Sequence, residues 1–201
     1  MNSKIKEITQ DIERLNKKLG EEYSNLGEKY GYSIAQKEVE FLKGIVNEHK
    51  GYKIPTWKYV IPTDLRHLLS MPFIYGMIIP GIILDLFLSI YHAVAFRLYR
   101  IPRVRRSDYI MYDRKFLSYL NIIQKINCLY CSYLNGLFGY AVEIAARTER
   151  YWCPVKAAEK PPYHHAHYKN FSDYGNPEGW NKKFNTYDNP KEDKKTKTTS
   201  I

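Results

Sequence analysis

The longest unbroken apolar run in the chain is residues 71–96, MPFIYGMIIPGIILDLFLSIYHAVAF, in which Asp85 is the single formal charge. A bilayer core takes about 20 such residues, and the cores of soluble domains seldom use so many in succession. The pattern therefore predicts a membrane segment. Pro80-Gly81 interrupts it, because proline has no amide proton to donate and glycine frees the backbone beside it. Two topologies are open. A kinked transmembrane helix would be about 39 Å long, enough to span a core of about 30 Å with some tilt. A re-entrant hairpin would have arms, 71–79 and 82–96, of about 13 and 22 Å, each too short to cross. The hairpin is preferred because both flanks are expected on one side.

Upstream, Ile5, Ile8, Ile12, Leu15 and Leu19 recur at 3-4-3-4 spacing with charges between them, which predicts an amphipathic helix over residues 4–19. Gly20, Gly27 and Gly31 are expected to interrupt it after barely two heptads. It then either packs on its own protein, the preferred reading, or pairs with a partner helix. Ser33 and Gln36 fit a capping box for a second helix running through Phe41, Leu42, Ile45 and Val46. In YKIPTWKYVIPT, Pro55 and Pro62 break helix, and Tyr52, Trp57 and Tyr59 suit either headgroup level or an ordinary surface. Thr63 and Asp64 are candidate caps for a short helix leading into the apolar run. Downstream, one long helix is predicted over 107–150, with no proline until Pro154. The closing KEDKKTKTTSI has little apolar area to bury, which predicts disorder.

Charge gives the apolar segment a polarity. The 201-residue chain carries a net charge of +10, and RLYRIPRVRR follows the segment directly. Arg97, Arg100, Arg103, Arg105 and Arg106 place the downstream part in the cytoplasm by the positive-inside bias and suit anionic lipid headgroups. MNSKIKEITQDIERLNKK has no apolar signal core, so the N-terminal part is expected to stay cytoplasmic as well. No nucleic-acid-binding motif accompanies the basic charge, and no nucleic acid is expected as a partner. Three cysteines, Cys128, Cys131 and Cys153, cannot all pair within one chain, and a cytoplasmic setting keeps them reduced.

Candidate chemistry falls into three groups. Asp85, Ser89 and His92 lie at i, i+4, i+7 inside the apolar segment, where a carboxylate is costly and marks either function or a salt bridge, to Arg97 or Arg100 for instance. Along the long helix Asn121, Lys125, Cys128, Ser132 and Asn135 form a polar stripe, followed by Gly139, Glu143 and Arg147. Buried polar groups need partners, and a helix–helix interface stitched by hydrogen bonds is the leading account. Cys128 and Cys131 form a C-x-x-C, with Cys153 and then His164, His165 and His167 beyond the helix end. Three thiolates and one imidazole would satisfy tetrahedral zinc if the chain folds back after Pro154. Buried cysteines and a solvated histidine cluster would give the same sequence without a metal. Fingerprints of hydrolases, nucleotide-binding loops and zinc proteases are lacking.

The strings DRKFLSYLN, NCLYCSYLNG, EIAARTERYWCPVK and HYKNFSDYGNPEGW resemble an uncharacterised family of small bacterial membrane proteins, over about half the chain. The resemblance implies a membrane-anchored architecture at the bacterial inner membrane and brings no activity. It also implies a histidine after CP-x-K, where this chain has Ala157, which would move the fourth ligand to His164, His165 or His167.

The expected protein is all-α and membrane-anchored. It has an N-terminal amphipathic arm (1–70), a membrane segment (71–96), a cytoplasmic helical module with a candidate zinc site (97–180) and a disordered basic tail (181–201). The function expected is that of a scaffold or complex subunit, partnered through the N-terminal helices and by anionic lipid. The alternatives are a membrane-interface metalloenzyme using Glu143 or Asp113, and a metal-free scaffold.

Overall fold

The computed structural model describes residues 3–35, 38–60, 64–159 and 161–184. It is mostly helical and divides into two compact units, with the boundary between Glu48 and His49.

In the first unit, α1 runs Ser3–Tyr30. Gly20 and Gly27 do not interrupt it, since each costs a helix only about 1 kcal/mol and the flanking residues are strong helix formers. Gly31, at φ 63°, takes the left-handed conformation that stops it. The apolar stripe therefore continues past the expected break: Ile12, Leu15, Leu19, Tyr23, Leu26 and Tyr30 are all exposed. The helix expected from Ser33 is replaced by an antiparallel hairpin, β1 (Tyr32–Ala35) and β2 (Glu38–Phe41). Tyr32, Ile34, Val39 and Phe41 alternate with polar residues, and this period of two pairs Tyr32 with Phe41 and Ile34 with Val39. Gln36, the capping partner proposed for Ser33, lies outside the described residues. Helix α2 (Lys43–Gly51) follows.

The second unit, from His49 within α2, continues with α3 (Thr56–Val60) and α4 (Leu65–Gly76), the latter capped by the Asp64 carboxylate on the Arg66 amide. Pro62 and Thr63 lie outside the described residues. The apolar segment continues as α5, Ile78–Leu98. The chain does not turn back at Pro80-Gly81, so the re-entrant hairpin is not formed. Met77 stays in the right-handed helical region and accepts the Gly81 amide, so Pro80 falls in the first turn of α5, where its missing donor is harmless. Residues 65–98 thus form one nearly continuous helix with a slight break at Met77.

Helix α5 ends abruptly. Arg100 adopts φ 55°, its amide bonds the Arg97 carbonyl, and the Ile101 amide reaches back to the Phe96 carbonyl. This is a Schellman stop with arginine in the place usually held by glycine, and Phe96 and Ile101 make its apolar contact. Arg100→Gly is expected to stabilise the fold by about 0.5 kcal/mol, the left-handed strain relieved less the added chain entropy. A lower urea midpoint for the variant would show that the arginine side chain itself holds the stop.

Residues 99–121 are not helical apart from short 3-10 turns at Arg106–Asp108 and Asp113–Phe116, so the helix expected from 107 begins only at α6, Ile122–Trp152. A full capping box, Asn121 with Gln124, fixes that start. The displaced stretch spends its apolar residues elsewhere. Ile101, Val104 and Ile110 leave it to join Phe96, Leu137, Tyr140 and Ile144 in the core. Each such side chain contributes about 1.5–3 kcal/mol when fully buried.

The connection's length follows from the packing of the helices. Tyr75 contacts Asn127 and Tyr130, Gly81 meets Leu134, His92 meets Tyr140, and Tyr91 meets Thr148. Position numbers rise together, so α5 and α6 run parallel. A parallel pair needs a return path, and 99–121 supplies it as a strap along both helices. Beyond α6, Pro154 and Val155 pair with Ser172, a 3-10 turn spans Ala166–Asn170, and α7 (Pro177–Lys183) closes the described residues. The first residues of the tail expected to be disordered, 181–183, are thus the end of α7, and 185–201 lie outside the described residues.

Candidate functional site

At 100° per residue, Gly81, Leu88 and His92 share one face of α5, while Ile79, Ile83, Leu86, Ile90 and Val94 share the opposite one. The first face is the packed one: Gly81, His92 and Phe96 are buried. A Cβ on Gly81 would lie 2.5 Å from Leu134 Cδ2, so only glycine allows this approach unless Leu134 moves. All five residues of the second face are more than half exposed.

Asp85, Ser89 and His92 of α5 point toward the strap and α6, whereas Arg97 lies on the opposite, exposed side. The Asp85 carboxylate receives both guanidinium nitrogens of Arg106, the Tyr133 hydroxyl at 2.8 Å and the Ser89 hydroxyl at 3.4 Å. Its ion-pair partner is thus Arg106, not Arg97 or Arg100, which sit beyond the end of α5's packed face and are exposed. His92 is 3% exposed and binds separately: the Val104 amide donates to Nε2 at 3.1 Å. In a neutral ring the proton is then on Nδ1, which donates to the Tyr140 hydroxyl at 3.2 Å. Asp85 and His92 therefore serve as two fastenings of the strap.

A second cluster joins α6, the strap and the C-terminal segment. Glu143 accepts from Arg147 Nε at 2.7 Å and pairs with His167 Nε2 at 3.2 Å. Arg147 also donates to the Pro102 carbonyl at 2.8 Å. Burial pushes the Glu143 carboxyl up, but hydrogen bonds from His167 and Arg147 outweigh it and hold the group below its usual range. The Tyr109 phenol, also bonded to Glu143, is raised to about 12 by burial and by that carboxylate. Six residues further along α6, Glu149 pairs with His165 Nε2 at 2.9 Å. Both Nδ1 atoms, of His165 and His167, are buried without a hydrogen-bond partner. Beside Glu149 an open groove of about 530 Å³ is lined by Lys156, Pro161, Tyr163, His165 and Tyr168.

The polar stripe of α6 divides. Asn121 is the buried N-cap and donates to the Ile54 carbonyl, and Ser132 is buried and accepts from Arg114 at 3.4 Å. Asn135 is exposed and only bonds back to the Cys131 carbonyl. Asp113 sits in a 3-10 turn of the strap rather than on the helix.

The proposed zinc ligands do not come together within one chain. Cys128 and Cys131 lie near the start of α6 and Cys153 caps its end. The 22 helical steps from Cys131 to Cys153 place them about 33 Å apart along the axis, against a zinc–sulfur bond of about 2.3 Å. His165 and His167 lie near the Cys153 end, each facing a glutamate, while His164 is exposed and stacks on Tyr168. Among the described residues, no three of His, Cys, Asp and Glu converge to hold a metal ion.

Sequence spacing singled out Asp85, Ser89, His92, Glu143 and Arg147. It missed Tyr109, Tyr133, Tyr140 and the two helix-contact glycines, Gly81 and Gly136, whose partners are distant in sequence. No family model, no curated protein and no solved structure matches the chain.

Proposed function

We propose that the chain is a membrane-anchored helical scaffold, at the cytoplasmic face of a bacterial plasma membrane, rather than an enzyme. The observation that supports this reading is the exposed apolar surface of the 65–98 helix. The helix is long and apolar enough to cross a membrane, and only 6% of its most apolar 18-residue window is buried. Water contact over that area is unfavourable by about 25 cal/mol per Å², so a lipid environment stabilises the fold as it stands. The polar residues beside the helix fit the same reading, since Asp85, His92, Glu143 and Arg147 are consumed in holding the strap and the C-terminal segment. The proposal leaves out the structural metal, because its cysteines stand at opposite ends of α6.

Helix α1 is the partner-binding arm in this reading. Its stripe from Ile12 to Tyr30 recurs at three- and four-residue steps and is exposed along its length. The anchor reading is tested by vesicle flotation of the full chain. Binding to vesicles with about 30% anionic lipid should exceed binding to neutral ones and fall about tenfold between 0.1 and 0.5 M salt, through Arg97, Arg100, Arg103 and Arg105. Protein that stays at the bottom of the gradient with every lipid would refute the anchor.

A further inference from the structure

We infer that α5 lies in the plane of one membrane interface, apolar face down, and does not cross the bilayer. This rests on the anchor reading and specifies the geometry and the lipid partner of that site. The return strap carries the argument. It is fastened to α5 at His92 and Asp85, through Val104 and Arg106, and to α6 at Arg147 and Ser132, through Pro102 and Arg114. The strap therefore runs beside the middle of α5 and would lie within the hydrocarbon if α5 spanned. Its backbone is mostly non-helical, and Arg103, Arg105, Asp108, Asp113 and Arg114 are exposed along it. Lipid-exposed irregular backbone does not occur in the hydrocarbon region, and exposed charge there is costly. Arg106 meets Asp85 near the middle of the apolar run, so the conflict would fall at the bilayer midplane.

An interfacial seat removes the conflict. Ile79, Ile83, Leu86, Ile90 and Val94 turn away from the packed face that holds His92 and from the strap beside it, so the apolar face can enter the acyl chains while the charged strap stays at headgroup level. Arg97, on the lipid-facing side at the helix end, can reach headgroups along its own stem. The basic run selects anionic lipid as the occupant of this surface, by charge complementarity.

The test uses the full chain with Cys128, Cys131 and Cys153 changed to serine. Single cysteines replace Ile79, Ile83, Leu86, Ile90 or Val94, and each is spin-labelled in phosphatidylcholine–phosphatidylglycerol vesicles. Oxygen and nickel-complex accessibility should place all five at one depth, about 5–10 Å below the phosphates, with a label at Arg105→Cys at headgroup level, outside the acyl chains. A depth profile that peaks near Ile83 to Leu86 and returns to the surface at both ends would overturn the inference while keeping the anchor. Absence of flotation would overturn both. Labels that report neighbouring chains instead of lipid would assign the face to a second copy and also overturn it. Phe87→Trp with the native cysteines retained provides an independent check, since brominated lipids should quench the added fluorescence as they would a residue at that same shallow depth.

Discussion

Glu143→Ala is expected to cost about 3–5 kcal/mol of stability, a drop of about 10 °C or more in Tm. The loss exceeds that of a surface ion pair because three elements meet at this carboxylate: Arg147 of α6, His167 of the C-terminal turn and Tyr109 of the strap. Arg147 and His167 are 8% and 2% exposed, so alanine would leave a buried guanidinium and imidazole without the carboxylate they share. Glu143→Gln keeps an acceptor and should lose about half as much. The two variants also differ from the parent in acid. The Glu143 carboxyl is held below its ordinary value of 4.5 in the fold, so its contribution is complete above that value and disappears as pH falls through the folded one. Urea midpoints of the parent should therefore fall below pH 4.5, whereas those of Glu143→Gln should follow a flatter course. Equal midpoints for all three proteins at pH 7 would mean that the cluster does not clamp the strap and C-terminal segment to α6.

Much of the architecture was readable from periodicity, and the failures share one cause. Helices α1, α5 and α6 announce themselves through apolar spacing and length, although Gly20 and Gly27 in α1 and Pro80-Gly81 in α5 read as breakers that the helices absorb. The strap does not, because 107–121 contains no proline and enough apolar residues to imitate a helix face. What excludes helix there is tertiary: Ile101, Val104 and Ile110 fill the space beside α5 and α6, and Asn121 with Gln124 starts α6 late. The hairpin from Tyr32 to Phe41 was hidden for a related reason, since four-residue strands offer too few positions to tell a period of two from one of 3.6. Within the site, Asp85 and His92 were conspicuous as polar residues in an apolar run. Their partners Arg106, Tyr133 and Tyr140 lie 21 to 48 positions away and could be found only once the chain return was known. The cysteines misled in the opposite direction. Their ligand chemistry is sound, but a 31-residue helix separates them as effectively as a rod.

Gly136→Leu should be nearly as damaging as Glu143→Ala, and the reason tests the strap directly. A Cβ on Gly136 would stand 2.6 Å from the Tyr109 carbonyl oxygen and 2.7 Å from Ile110 Cα. Both obstacles are backbone, so no rotamer change relieves them, and overpacking of this kind costs about 1–3 kcal/mol even for small additions. Gly136→Ala gains up to about 1 kcal/mol of helix propensity and should still be net destabilising, by about 1–2 kcal/mol. Gly81→Ala provides the control. Its Cβ would approach Leu134 Cδ2 at 2.5 Å, the far end of a flexible side chain, so the propensity gain offsets much of the strain and the midpoint should stay within about 1 kcal/mol of the parent. Leucine at 136 adds three more carbons at the closest strap contact and should lift residues 109–110 off the helix. That would loosen the fastening at Arg106 as well, so protease cleavage within 103–115 should accelerate in the same order as the loss of stability. If Gly136→Ala proved as stable as Gly81→Ala, the strap would not press on α6 at this level. The case for an interfacial rather than a spanning α5 would then lose one of its supports.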